Sequence, residues 1–184
     1  KELPAGQRPD VMWASAPDAF EVLARDKLLQ SAPEVVNPAT PAKIGNYPIN
    51  DPGGMYYGQA LAGYGMMWNT RYMQANTLPA PKEWMDLARG EYFGHVAISS
   101  PSRSGTTHLT VETILQGEGW DKGWSQLLEI MGNAAAVTDR SFAVPDGVNN
   151  GQYGIGIVID FFGLAGKYSG FPVEFVYPTV TAVV

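Results

Sequence analysis

Short apolar runs alternate with stretches of helical spacing between residues 95 and 177, and this alternation restricts the fold more than any other feature of the chain. The apolar runs predict strands over residues 95–99, 134–138, 153–160 and 172–177. The stretches between them predict helices over residues 106–116, 121–131 and 141–150. Strands that alternate with helices in this way are typical of an α/β unit with a mainly parallel sheet.

The first part of the chain has a less regular pattern. Residues 11–14 form an apolar run that predicts a buried strand, and Ser15 stands at capping distance from Asp18, which predicts a helix over residues 17–30. The further predictions are an irregular stretch or short strands over residues 31–60, a strand over 61–69 and a helix over 82–89.

Composition excludes several classes of function. The 184 residues carry a formal net charge of −6, whereas a nucleic-acid partner normally requires a basic face. The two histidines, His95 and His108, have neither the spacing of a metal cluster nor a neighbouring acid that would orient them for catalysis. Because no Gly-Lys-Ser/Thr motif or complete dinucleotide fingerprint occurs either, we expect no enzyme activity, no metal and no cofactor.

The turn between the strand over 95–99 and the next helix has the composition of an anion-binding site. The first amides of a helix have no internal acceptors, and the helix dipole places partial positive charge at that end. The candidate ligand-binding residues of this turn are Ser102, Arg103, Ser104, Gly105, Thr106 and Thr107. An ordinary polar turn with a capping residue is the alternative, and the pattern leaves the two interpretations at similar weight.

Three further junctions add candidates. Ser15 opens a helix after a strand and could supply similar donors, but a capping role alone is the favoured interpretation, because the spacing to Asp18 explains it fully. Arg140 and Ser141 follow the strand over 134–138, where the guanidinium could pair with a phosphonate or carboxylate, or with a surface acid. Asp160 ends an apolar strand and requires a partner there, which could be a ligand ammonium, Arg140 or another structural group.

Four segments carry a resemblance to a known family: residues 9–20 (PDVMWASAPDAF), 78–87 (LPAPKEWMDL), 101–107 (PSRSGTT) and 151–157 (GQYGIGI). In this order, they resemble bacterial extracellular solute-binding proteins, in the branch that holds the ferric-iron, 2-aminoethylphosphonate and phosphoglycerate-type receptors of ABC importers. The resemblance covers nearly all of the chain.

The resemblance implies a type II periplasmic binding protein-like fold, with two α/β lobes joined by crossing strands. It assigns residues 1–75 to the remainder of lobe one and the approach to the hinge, 76–176 to lobe two, and 177–184 to a return strand. Relative to that pattern, the chain lacks the opening elements of lobe one and the closing helices. Since it also stops in an apolar run, we expect a truncated central fragment.

The resemblance also bears on the ligand. Iron-binding relatives have a carboxylate where this chain has Ser15-Ala16, and adjacent tyrosines in the second lobe, where this chain has Asp139-Arg140-Ser141. The adjacent tyrosines here, Tyr56-Tyr57, fall in the first lobe, and Fe³⁺ prefers anionic oxygen ligands. We therefore expect a small anion such as a phosphonate, phosphate ester or carboxylate, with ferric iron as the less favoured alternative.

The implied function is that of a periplasmic substrate-binding component of an ABC importer, exported from the cytoplasm, with the importer permease as its partner. A ligand-sensing input protein that acts with a membrane sensor is the alternative. A hydrolase that uses the serines and threonines of residues 102–107 as nucleophiles is a weaker one, because no matched general base accompanies them.

Overall fold

A computed structural model describes residues 4–7, 9–14 and 17–181. The chain divides into two compact units, with the boundary between Leu61 and Ala62. Residues 62–75 belong to the second unit, because the strand they contain is an interior strand of that unit's sheet. The assignment of residues 1–75 to lobe one and the approach to the hinge stays a prediction.

The first unit contains little regular structure. Its described elements are helix α1 (Pro17–Arg25), the two-residue strands β1 (Lys43–Ile44) and β2 (Tyr47–Pro48), and 3₁₀ turns at Ala5–Gln7 and Pro33–Val35. Strands β1 and β2 pair antiparallel. The irregular stretch expected over residues 31–60 is thus confirmed.

Two predictions for this unit need correction. Residues 11–14 form no strand, no strand in the described part of the chain pairs with them, and Val11 and Trp13 are each 78% exposed. Helix α1 begins where it was predicted but ends at Arg25. It ends early because Lys27 adopts a positive φ of 56°, and the amides of Lys27 and Leu28 turn back to the carbonyls of Ala24 and Leu23.

The second unit is built on a five-stranded sheet in the order β5-β4-β6-β3-β7. Its strands are β3 (Tyr64–Asn69), β4 (Val96–Ser99), β5 (Ala134–Thr138), β6 (Ile155–Ile159) and β7 (Val173–Val176). Strand β4 is parallel to both β5 and β6, whereas β3 is antiparallel to both β6 and β7. Four strands therefore run in one direction, as expected for a mainly parallel sheet, and β3 runs against them.

Helices cover this sheet and complete the core. They are α2 (Thr70–Ala75), α3 (Gly105–Glu118), α4 (Trp120–Gly132), α5 (Ala143–Asn149) and α6 (Asp160–Tyr168). Buried apolar side chains of the strands pack against them in two clusters, one containing Met66, Ile98 and Ile155, the other Met67, Ala97 and Val158. Strands β4 and β6 are buried along their whole length, which explains why they appear in the sequence as continuous apolar runs.

The helix expected over residues 82–89 is instead a 3₁₀ segment, Trp84–Ala88. The Asp86 carboxylate accepts hydrogen bonds from the backbone amides of Lys82 and Glu83 at 2.8 and 3.0 Å, which holds the start of this segment in a tight turn. Across the described part of the chain, no helix has the length and apolar character that crossing a membrane would require.

Candidate functional site

Three parallel strands of the second unit end at the same edge of the sheet, and each is followed by residues singled out from the sequence. Strand β4 leads into residues 100–104, β5 into residues 139–142, and β6 directly into Asp160. The first two loops are joined by a hydrogen bond of 2.7 Å from the Ser100 amide to the Thr138 carbonyl. In open α/β sheets, ligands bind at this carboxyl edge.

Beneath this edge, four hydroxyl groups form a continuous hydrogen-bonded chain. The Oγ of Ser99 lies 2.5 Å from the Oγ1 of Thr107, which lies 3.3 Å from the Oγ of Ser104, which in turn lies 2.6 Å from the Oγ of Ser141. Ser99, Thr107 and Ser104 are buried and Ser141 is half-buried. This series of hydrogen-bonded hydroxyls therefore connects the buried strand β4 to the loop that follows β5.

Ser104 is also the N-cap of helix α3. It has an extended backbone, and its Oγ accepts a hydrogen bond of 3.2 Å from the Thr107 amide. The ordinary capping role weighed from the sequence is therefore present. The hydroxyls of Ser104 and Thr107 were expected to reach a ligand directly, but both are used within the protein and lie below the surface.

The remaining candidates of these two loops form an outer layer. Ser102, Arg103, Gly105 and Arg140 are exposed, and neither arginine takes part in an ion pair with any described residue. Thr106 is 7% exposed, and its hydroxyl has no hydrogen-bond partner among the described residues. The amides of Gly105 and Thr106 lie in the first turn of α3, where a helix supplies no acceptor.

This outer layer contains the kinds of group that anion binding requires. Two guanidinium groups provide positive charge, and the first-turn amides together with the hydroxyls of Thr106 and Ser141 provide donors. No described carboxylate forms an ion pair with either arginine, so both remain available to a ligand. The arrangement suits a phosphate, phosphonate or carboxylate group.

Asp160 has a different role from the other candidates. Its Oδ2 accepts hydrogen bonds from the Gly63 amide at 2.8 Å and from the Tyr177 hydroxyl at 2.9 Å. Burial, and then the hydrogen bond to the Asp160 carboxylate, raise the pKa of Tyr177. These hydrogen bonds are the structural pairing that was one of the alternatives for Asp160. Through them, the carboxylate joins the residue before β3 to the residue after β7.

Ser15 lies outside the described residues. Ser99, by contrast, is part of the site and was not among the candidates. The signal that could have found it is a hydroxyl at the end of a strand that is otherwise wholly apolar, since a buried polar group requires a partner.

The first unit has a cavity of about 90 Å³ with an acidic lining that includes Glu21 and Asp51. Burial and then the charge of Glu21 raise the pKa of Tyr47 and Tyr56 in the same lining. Such a lining repels anions. In the described residues, no three His, Cys, Asp or Glu side chains converge as a metal site would require.

Comparison with known proteins gives the family. The family model described as bacterial extracellular solute-binding protein matches residues 7–184. The chain belongs to this family. It is also 35% identical, over 185 aligned positions, to the phosphoglycerate transport regulatory protein PgtC of Salmonella typhimurium. That match covers 95% of this chain and 44% of PgtC, so this solute-binding protein spans less than half the length of that relative.

Solved structures of periplasmic binding proteins share the fold. AfuA from Actinobacillus pleuropneumoniae, with exogenous fructose-6-phosphate bound, matches with a TM-score of 0.72 and 21% identity, over 88% of this chain and 52% of that one. Iron-bound HitA from Pseudomonas aeruginosa matches with a TM-score of 0.67 and 17% identity, over 91% and 55%. The fold of this chain is accordingly that of the type II periplasmic binding proteins, as the sequence resemblance implied.

Proposed function

We propose that this solute-binding protein captures a small organic anion, of the phosphate-ester, phosphonate or carboxylate class, for an ABC importer in the periplasm. The observation that carries the proposal is the pair of exposed arginines, Arg103 and Arg140, on neighbouring loops at the carboxyl edge of the parallel strands. Neither is neutralised by a described acidic side chain, although the chain as a whole is acidic.

The proposed contacts use the charged and donor groups of the outer layer. The two guanidinium groups pair with the anionic oxygens, while the amides of Gly105 and Thr106 and the hydroxyls of Ser102, Thr106 and Ser141 donate to them. A charge-assisted hydrogen bond is about twice as strong as a neutral one. Ser15 remains a proposed ligand contact.

The names of two relatives support the chemical class. PgtC is named for phosphoglycerate transport and AfuA was solved with fructose-6-phosphate, and both compounds carry a phosphate ester. The iron-bound HitA favours ferric iron as the ligand instead. We prefer a phosphate ester as the ligand, because the exposed guanidinium groups of Arg103 and Arg140 would repel Fe³⁺ and attract a phosphate.

A second candidate function keeps the site but changes the partner. PgtC is named a regulatory protein, which favours a ligand sensor that acts on a membrane receptor in place of an importer permease. A co-purification experiment distinguishes these two functions. The permease and the membrane sensor are each reconstituted in membranes and incubated with the ligand-loaded protein. The importer proposal requires that the permease co-purifies with the protein and that the sensor does not.

Isothermal titration calorimetry of the full-length protein tests the proposed ligand class. The panel contains 3-phosphoglycerate, fructose 6-phosphate, 2-aminoethylphosphonate and ferric citrate, with fructose as the uncharged control. We expect saturable binding of at least one phosphorus-containing anion and none of fructose. Binding of ferric citrate alone would overturn the choice of ligand, and absence of all binding would overturn the receptor function.

A further inference from the structure

The four-hydroxyl chain Ser99–Thr107–Ser104–Ser141 has a direction, which follows from the number of protons it contains. A serine or threonine hydroxyl has one proton to donate and two lone pairs that accept. The bond between Thr107 and Ser104 has Thr107 as its donor, so the single hydroxyl proton of Thr107 is used there. The proton in the bond between Ser99 and Thr107 must then come from Ser99.

The same count fixes the next bond. Ser104 Oγ accepts from the backbone amide of Thr107 and from the hydroxyl of Thr107, so both of its lone pairs are used. The proton in the bond between Ser104 and Ser141 therefore comes from Ser104. Ser141 receives that bond, and its own proton remains free, since no described residue accepts it.

We infer that the chain of hydroxyls is a one-way donor relay that makes Ser141 the terminal donor toward the bound anion, with Ser99 and Thr107 as positioning residues. Every proton in the relay points from the buried end to the half-buried end at Ser141. This inference rests on the proposed function, because the free proton of Ser141 acts on a ligand held by the outer layer.

The relay selects for a hydrogen-bond acceptor. Successive hydrogen bonds polarise one another, which strengthens the last donor by roughly 10–30% per bond in condensed-phase estimates. An ionised phosphate or carboxylate oxygen only accepts, so it matches a terminal O–H, whereas a ligand hydroxyl that must donate does not. Ser141 thus favours the fully ionised form of the ligand over neutral analogues of similar shape.

A double-mutant cycle at Ser141 and Thr107 tests the relay by calorimetry with 3-phosphoglycerate. Ser141→Ala removes the terminal donor and should weaken binding about tenfold, as expected for a bond to a charged group. Thr107→Val keeps the shape of the side chain but removes its hydroxyl, so Ser141 can donate to Ser104 and no longer has to donate to the ligand. We therefore expect a smaller loss of affinity, roughly threefold. In the Ser141→Ala background, Thr107→Val should have no further effect on affinity.

Thr110→Val is the matched control. Thr110 is equally buried in helix α3, but its hydroxyl bonds to the Thr106 carbonyl and lies outside the relay. We expect this variant to lose stability while it keeps the affinity of the wild type. Additive effects of Thr107→Val and Ser141→Ala, or an equal loss of affinity in Thr110→Val, would overturn the relay.

Neutron diffraction from crystals of the deuterated full-length protein tests the proton order without any ligand. The relay requires the Ser104 deuteron to lie between Ser104 and Ser141, bonded to Ser104, and the Ser141 deuteron to point away from Ser104. A deuteron on Ser141 that points at Ser104 contradicts it. Because this readout is independent of binding, failure of the relay is distinguishable from failure of the proposed receptor function.

Discussion

At the scale of single residues, Arg140 stands next to the hydroxyl that ends the buried hydrogen-bonded chain. It is exposed, and Thr138 fixes the local backbone by donating its hydroxyl to the Arg140 carbonyl at 2.9 Å. The guanidinium itself has no described acidic partner. Its charge therefore contributes little to the folded state and is free for a ligand.

Arg140→Gln is expected to weaken binding of 3-phosphoglycerate by about ten- to a hundredfold, because a charge-assisted pair is lost, and to leave the midpoint of urea unfolding unchanged within error. Calorimetry and urea titration measure the two quantities. Arg71→Gln is the control: Arg71 is also exposed, but it lies in α2, which follows β3 at the opposite edge of the sheet. Equal losses of affinity in both variants would show that overall charge, not Arg140, holds the ligand.

Tyr92 provides a prediction about pH. Its side chain is fully buried and its hydroxyl donates to the Pro79 carbonyl at 2.7 Å. Burial, followed by the charges of Glu91 and Asp86, raises the pKa of Tyr92 to about 12. The folded state therefore holds this proton more tightly than the unfolded chain, whose tyrosine pKa is about 10.

The stability contributed by Tyr92 should be complete below pH 10 and should fall as the pH rises from about 10 through 12. Tyr92→Phe should cost about 1 kcal/mol at neutral pH by removing the bond to Pro79, and should reduce the alkaline loss of stability. Urea unfolding at pH 8, 10 and 11 measures both effects. An identical slope of unfolding free energy against pH in the two proteins would contradict the assignment.

The polar candidates were recognisable from the sequence to different degrees. The sequence has hydroxyls and arginines concentrated between apolar runs and helical patterns, which predicted residues 102–107 and 140–141 as candidates. The structure brings these two loops to one edge of the sheet, because β4 and β5 are parallel. Which hydroxyls are buried was not recognisable, since this depends on the pairing of Ser104 with Ser141, 37 positions away. The partners of Asp160, Gly63 and Tyr177, lie 97 and 17 positions away, so they were not recognisable either.

At the scale of the elements, helix α5 lies unusually close to strand β6. A Cβ atom added at Gly156, the second residue of β6, would stand 2.6 Å from Val144 Cγ1 and 3.0 Å from Val148 Cγ2. Real Cβ atoms do not approach carbon this closely, so the helix can pack here only against a glycine. Because Ser141 lies two residues before α5, this contact also positions the end of the relay.

Gly156→Ala is expected to destabilise the protein by about 1–3 kcal/mol, because α5 must move away from the sheet. Adding Val144→Ala removes the clashing methyl, so the double variant should be less destabilised than the sum of the two single variants. Guanidinium unfolding measures each value. Gly132→Ala, at the end of α4 with open space around its Cβ position, serves as the control and should be neutral or slightly stabilising.

The elements of the second unit were largely predictable, whereas in the first unit the strand expected over residues 11–14 and the C-terminal bound of α1 were wrong. Strands β4 and β6 appear as apolar runs because they are buried along their whole length, and the bounds of β4, β5, β6 and β7 agree with prediction to within a few residues. The run at residues 11–14 has the same character and forms no strand, because an apolar run alone does not supply a partner. The antiparallel direction of β3 was also not predictable, since strand direction is set by tertiary pairing.

At the scale of the whole molecule, burial is distributed unevenly between the two units. None of the described residues up to Leu61 is buried, whereas the second unit contains both core clusters. A domain requires a buried apolar core to offset the conformational entropy lost on folding. The second unit satisfies this requirement with its own residues.

A chain that comprises residues 62–184 should therefore unfold in a single cooperative transition, and a chain that comprises residues 1–61 should show none. Circular dichroism during guanidinium titration of each fragment measures this. A broad, non-cooperative change in the 62–184 fragment would mean that its core depends on the first 61 residues.

The central claim is that an organic anion binds at the carboxyl edge of the second unit's sheet. Amide chemical shifts of the full-length ¹⁵N-labelled protein, recorded during titration with 3-phosphoglycerate, test it most directly. We predict saturable shifts concentrated at residues 102–107 and 140–141, with the largest at Gly105 and Thr106, whose amides begin helix α3. Saturable shifts confined to other parts of the protein, with these amides unmoved, would contradict the site.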